Sequence, residues 1–98
     1  MNKRAHEYEV TFNYLKDNKG EVVDKEPIRF PFNNHDNIYK ILDVLTEKKL
    51  FEDDNQTLQF AIGLKLLGDV VMKNKDKELF SELQPAFVEF MKKLKSKE

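Results

Sequence analysis

The chain contains no cysteine, so neither a disulfide framework nor thiolate chemistry is available to it. It has only two arginines, Arg4 and Arg29, and arginine is the residue best shaped to hold phosphates and bases. The formal net charge is −1, and a pI near 6.1 gives no electrostatic case for nucleic acid or an anionic membrane. No apolar run approaches the ~20 residues that span a bilayer, and residues 1–9 are too polar for a secretory signal. We therefore expect a cytoplasmic protein without nucleic-acid or membrane partners.

The 98 residues are enough for one domain, 1–98, with a single core. Two segments near the N-terminus alternate with the period of half-buried strands. Their inward residues are Tyr8, Val10, Phe12 and Tyr14 in the first, and Ile28, Phe30 and Phe32 in the second. A turn signal at 17–20 joins them into an antiparallel hairpin. A four-residue turn there would put the two apolar sets on opposite faces, so we expect a bulge or irregular loop within 22–26.

Helical periodicity follows the hairpin. Asn33 or Asn34 is the expected N-cap of the first helix. The second helix, about 55–73, is apolar around nearly its whole circumference, which predicts a buried helix. A short helix at 76–82 and a last one at 84–96 complete the pattern. The predicted fold class is α+β, an N-terminal antiparallel β-hairpin packed against three to four helices with a central buried helix.

Few residues are candidates for a chemical site. His6, His35 and Asp36 are the raw material of a zinc site, but they lack the spacing of known ligand sets. No nucleophile, glycine-rich phosphate loop or tuned carboxylate pair is visible, which argues against an enzyme, a metal or a cofactor. Lys65 and Asp69 form the polar stripe of the second helix. They either face water or border a pocket or a subunit contact, since charges that are buried need partners.

Two blocks of sequence carry a family resemblance, residues 63–70 (GLKLLGDV) and 80–94 (FSELQPAFVEFMKKL). Shorter matches lie at 6–8 and 34–36. On these the chain resembles a small family of uncharacterised bacterial proteins, a domain of unknown function. The resemblance implies a bacterial source and one compact α+β domain, and it implies no activity.

Two classes of function remain open. The leading hypothesis is a non-catalytic interaction or regulatory module that self-associates through its helices, with any other protein partner unknown. The alternative is a small ligand- or metal-binding protein with hydrolytic activity. An exposed contiguous apolar patch would favour the first, and a concave pocket reached by His6 or His35 would favour the second. Nucleic-acid binding through the lysines of the C-terminus is a third and weaker hypothesis.

Overall fold

The computed structural model describes residues 4–96, and side chains as far as residue 95. It contains two strands, β1 (His6–Phe12) and β2 (Ile28–Asn34), then three helices, α1 (Ile38–Lys48), α2 (Asp54–Lys73) and α3 (Leu83–Ser96). A short 3₁₀ turn, Glu78–Phe80, precedes α3. The chain divides into two compact units, the hairpin up to residue 36 and the helices from residue 37. The predicted α+β class is confirmed. None of the described helices is long and apolar enough to cross a membrane.

The two strands pair in the register that aligns their apolar residues. Tyr8 lies opposite Phe32, Val10 opposite Phe30 and Phe12 opposite Ile28. The rings of Tyr8 and Phe32 stack with their centroids 6.2 Å apart. Because side chains alternate between the two faces of a sheet, this register puts both apolar sets on one face, as the sequence predicts.

The connection between the strands contains the expected irregularity. Asp17 organises the tip, where its carboxylate accepts hydrogen bonds of 2.9 Å from the N–H groups of Lys19 and Glu21. Gly20 has a positive φ of 87°, which glycine adopts without strain. An isolated bridge joins Lys16 to Val22. Three residues lie between the end of β1 and Lys16, whereas five lie between Val22 and the start of β2. The residues that make the second segment longer than the first therefore lie within 23–27.

The first helix begins later than predicted. Asn33 and Asn34 belong to β2, where they pair with Glu7 and His6. The N-cap is Asn37, whose side chain accepts hydrogen bonds from the N–H groups of the second and third residues of α1, at 3.1 and 3.3 Å. The prediction of a cap at Asn33 or Asn34 is wrong because the strand ladder uses those residues and Asn37 satisfies the helix start.

The middle helix, α2, packs against both α1 and α3. Asp53 caps it through a 2.8 Å bond from the N–H of Asn55. Its buried residues are Thr57, Ala61, Gly68 and Val71, which share one side of the cylinder. The helix is therefore central, but the expectation that it is enclosed on all sides is corrected, because its apolar residues Leu58, Ile62, Leu67 and Val70 are 37–48% exposed.

The last helix is held by aromatic and glycine contacts. Phe60 of α2 meets Phe90 of α3 edge to face, with centroids 6.1 Å apart. It also meets Phe51 of the α1–α2 loop at 5.4 Å. Pro85 is the third residue of α3, within the first turn, where its missing N–H breaks no helical bond. The predicted short helix before it is reduced to the 3₁₀ turn.

Candidate functional site

An apolar groove of about 270 Å³ lies among the three helices. Each helix contributes residues three or four positions apart, which is the spacing that places side chains on one helix face. The large apolar residues that line the groove are Ile41, Val44, Leu45, Leu64, Met91 and Leu94. Ala61, which is almost fully buried, also lines it. The groove is therefore a feature of the helical unit, formed by packing rather than by one sequence segment.

Four lysines line the same groove, Lys40 and Lys48 from α1, Lys65 from α2 and Lys95 from α3. Lys48 and Lys65 are half-buried, whereas Lys40 and Lys95 are exposed. Lysine stems lie along apolar surface while their ammonium groups remain in water. Among the described residues, no acidic side chain lines the groove. The groove therefore has an apolar wall with four lysines among its described lining residues.

A second feature of α2 is an exposed ridge of apolar residues. Leu58, Ile62, Leu66 and Val70 follow one another at intervals of four, so they form a continuous row along the helix. The exposed fractions of Leu58, Ile62 and Val70 are 45%, 37% and 48%. Leu67, beside the row, is 47% exposed. We call these five residues the α2 ridge.

Two glycines of α2 have opposite surroundings. A Cβ added at Gly68 would lie 2.8 Å from the ring carbon Cζ of Phe87, so this glycine allows α3 to approach closely. A Cβ added at Gly63 would meet no described atom within 4 Å. Gly63 is exposed and lies beside the α2 ridge, although glycine in a helix interior costs about 1 kcal/mol relative to alanine. No contact within the described chain explains it.

The structure separates the two residues of the predicted polar stripe. Lys65 lines the groove. Asp69 is instead paired with Lys73, whose Nζ lies 3.0 Å from Asp69 Oδ2. This is the (i, i+4) ion pair typical of a helix surface. Asp69 is therefore not a groove residue.

The remaining candidates lie in the hairpin unit. His6 opens β1, and its ring lies 6.3 Å from that of Tyr8. His35 and Asp36 follow β2 in an exposed turn, where the Asp36 carbonyl accepts a 3.0 Å hydrogen bond from the Tyr8 hydroxyl. Within the described residues, no three His, Asp or Glu side chains group as metal ligands would. Neither histidine lines the groove of the helical unit.

The hairpin has a concavity of its own, of about 800 Å³, at the end where strand pairing becomes irregular. Phe12, Leu15 and Ile28 line it and are exposed. Its charged residues are of both signs, Lys16 and Lys25 with Glu26. This mixture indicates no preference for one class of ligand.

Sequence reasoning identified Lys65 and missed Lys40, Lys48 and Lys95. Their signal is weak, because lysines that flank an apolar helical stripe are common on solvated helices. What distinguishes these four is that three separate helices bring them to one groove. That convergence follows from packing and is not visible in the pattern of any single helix.

Comparisons with known proteins give a family and no activity. Residues 6–96 match the model of a family described as "Domain of Unknown Function with solved-structure structure (DUF3861)". No curated protein matches significantly. The fold is similar to the crystal structure of a protein of unknown function from Pectobacterium atrosepticum. The two chains are 29% identical with a TM-score of 0.80, and the alignment covers 95% of this chain and 99% of that chain.

Proposed function

The chain belongs to the DUF3861 family, whose description assigns no activity, and we propose that it is a non-catalytic interaction module that pairs with a second copy of itself. The observation that carries this proposal is the α2 ridge. Contiguous apolar patches on the surface of a soluble protein mark interaction sites more often than scattered exposed residues do. Covering the ridge would remove five large apolar side chains from water.

Gly63 supports a helix as the partner element. Rows of side chains spaced by four pack into the grooves of a facing helix. A residue without a side chain beside such a row lets the facing backbone approach closely. Packing of another helix against Gly63 would offset the stability that glycine costs in a helix interior. Gly68 shows the same use of glycine inside this chain, where the ring of Phe87 occupies the space.

The charges at the two ends of α2 favour a second copy in antiparallel orientation. Residues 52–54 at the start are all acidic. Residues 73–77 at the end contain three lysines and one aspartate. Two copies of α2 running in opposite directions place the acidic start of each beside the basic end of the other. Such a two-fold contact is self-complementary, and two-fold dimers are the commonest closed assemblies.

The experiment compares two substitutions of exposed apolar residues by glutamate. Ile62→Glu puts a charge on the α2 ridge, whereas Leu79→Glu puts the same charge on the 3₁₀ turn at a residue that is 81% exposed. We expect wild type and Leu79→Glu to show a mass near twice 11.6 kDa by sedimentation at micromolar concentration. Ile62→Glu should weaken the dimer about a hundredfold, because it buries an unpaired charge at the contact.

Circular dichroism separates loss of pairing from loss of folding. Ile62 is partly exposed, so its replacement should leave the helical signal of the isolated chain close to that of wild type. A wild-type chain that stays at 11.6 kDa up to high micromolar concentration would contradict the proposal. Equal weakening of the dimer by both substitutions would contradict the assignment to the α2 ridge.

A further inference from the structure

We propose that the outer edge of β1 binds an extended peptide segment of a partner protein as a third strand of the sheet, and that this segment alternates basic and apolar residues. The proposal concerns the hairpin unit and does not rest on the α2 ridge. Within the described residues the sheet has two strands, so each strand has one outer edge without a neighbour. Such an edge offers a row of N–H and C=O groups to a further strand.

Pro31 identifies the backbone groups that β1 turns outward. It lies opposite Glu9 and has no N–H, so these two residues form one of the pairs that exchange no hydrogen bonds. Such pairs alternate with hydrogen-bonded pairs along an antiparallel ladder. Glu7, Glu9 and Thr11 therefore direct their N–H and C=O groups away from β2. All three residues are exposed, and no hydrogen bond from elsewhere in residues 4–95 reaches these backbone groups.

The outer edge of β2 is a poorer template for a third strand. Its outward positions are Arg29, Pro31 and Asn33, and the central one has no N–H to donate. Prolines at an edge are one device by which native sheets discourage the addition of strands. The sequence of β1 contains no proline. The two edges of the sheet are therefore unequal, and β1 is the one that can form a complete ladder.

The charges at the β1 edge specify the chemistry of the partner. Glu7 and Glu9 share one face of the sheet, and the residues opposite them in β2, Asn33 and Pro31, are uncharged. Neither carboxylate forms an ion pair with a described residue. Opposite charges at directly paired positions stabilise a ladder, and like charges destabilise it. A third strand therefore gains from basic residues opposite both glutamates.

The other face of β1 favours apolar residues at the positions between. Tyr8 and Val10 on that face are half-buried, and Phe12 is 66% exposed. Apolar side chains of a neighbouring strand would cover this surface. A second copy of β1 is a poorer occupant, because it would bring four glutamates to one face.

The first test varies the peptide. The probe is VTVKVKV, acetylated and amidated, which in antiparallel orientation sets its two lysines opposite Glu9 and Glu7. We expect NMR amide shifts at β1 and slower hydrogen exchange at the N–H groups of Glu7, Glu9 and Thr11. The peptides VTVEVEV and HEYEVTF, the second of which copies residues 6–12, should each bind about tenfold more weakly. Tighter binding of HEYEVTF would make a second copy the occupant and overturn the proposal.

Methylation of peptide nitrogens separates strand addition from attraction between charges. N-methylation of both lysines of VTVKVKV removes two donors that face β1 and keeps the charge, so it should weaken binding about thirtyfold. N-methylation of the second and third valines alters only the edge that faces away from β1, and it should change the affinity less than about twofold.

The second test varies the protein. The double variant E7K/E9K reverses both charges of the edge, and E78K/E82K makes the same change of net charge at exposed residues around the 3₁₀ turn. E7K/E9K should prefer VTVEVEV to VTVKVKV by about tenfold, whereas E78K/E82K should keep the wild-type preference. Ile62→Glu should bind VTVKVKV as wild type does, which distinguishes a failure of this proposal from a failure of self-association.

Four results would overturn the proposal. They are no shift at β1 with millimolar VTVKVKV, equal affinity for the lysine and glutamate peptides, unchanged binding after methylation of the lysines, and the same reversal of preference in both double variants. Because the peptide series uses the wild-type chain, it decides the question even if E7K/E9K fails to fold.

Discussion

At the scale of the residue, the two glycines of α2 show how position decides the role of one residue type. Both lie in the helix interior, where glycine is unfavourable because it leaves the backbone more freedom in the unfolded chain. At Gly68 the ring of Phe87 occupies the space that a Cβ would need. At Gly63 that space is open within the described chain. The first glycine is explained by packing inside the helical unit, and the second is not.

This difference predicts opposite effects of the same substitution. Gly63→Ala should raise the free energy of unfolding by about 1 kcal/mol, because alanine favours helix and meets no neighbour. Gly68→Ala should lower it by about 1–3 kcal/mol, because a Cβ 2.8 Å from Phe87 Cζ forces the packed ring to move. Urea unfolding measures both in the Ile62→Glu background, where no second copy lies against Gly63. Equal stabilisation by the two substitutions would show that Phe87 does not pack against Gly68.

At the scale of the element, the start of α1 is set by a side-chain cap rather than by the first asparagine available. Asn33, Asn34 and Asn37 are all good N-cap residues by type. The backbones of the first two are committed to pairing with β1. In addition, the Asn34 side chain accepts a 2.9 Å bond from the N–H of Asp36, which shapes the turn that leads into the helix. Competition from the strand therefore moves the helix start to Asn37.

Substitution of the asparagines tests this assignment. Asn37→Ala should lower the free energy of unfolding by about 1 kcal/mol, since two N–H groups of α1 lose their acceptor. Asn33→Ala changes an exposed residue of β2 and should cost less than about 0.5 kcal/mol. Thermal unfolding followed by circular dichroism compares the pair. A larger loss for Asn33→Ala would support the cap that sequence reasoning proposed and contradict the structure.

Elements with a strong local signal are predictable from the sequence, and surfaces formed by several elements are not. The hairpin register follows from the apolar alternation around Tyr8 and Phe32, and the bounds of α2 follow from its cap at Asp53 and its long periodic run. The apolar circumference of α2 does not reveal burial, because burial depends on how many neighbours exist to cover it. The groove is less predictable still, since Lys65 stands out in an apolar helix but Lys40 and Lys95 resemble ordinary surface lysines.

At the scale of the whole molecule, the distribution of charge carries more information than its sum. A net charge of −1 excludes little by itself. The same charges are segregated along α2, with acidic residues at 52–54 and lysines predominating at 73–77. This segregation along α2 corresponds to the proposed pairing with a second copy.

The orientation of the proposed dimer gives the last prediction. If two copies of α2 pair antiparallel, Lys75 and Lys77 of each lie near the acidic residues 52–54 of the other. The double variant K75E/K77E then converts attraction into repulsion at four positions of the dimer. With about 0.3–0.5 kcal/mol for each exposed position, we expect the dissociation constant of the dimer to rise about tenfold at low salt. Sedimentation equilibrium measures this constant directly.

The matched variant K16E/K19E makes the same change of net charge at exposed lysines of the hairpin turn. This variant shows how much of the effect comes from general repulsion between two more acidic copies rather than from the pairing of Lys75 and Lys77 with residues 52–54. It should leave the dissociation constant of the dimer within about twofold of wild type. Because exposed charges are screened within roughly 8–10 Å at physiological salt, the effect of K75E/K77E should shrink at 0.5 M sodium chloride. If both variants weaken the dimer equally, only net charge matters. If K75E/K77E leaves the dissociation constant unchanged, the like ends of α2 meet, because residues 73–77 change from a formal charge of +2 to −2 on both copies and repel each other equally in either case. The antiparallel arrangement is then wrong even though the α2 ridge forms the contact.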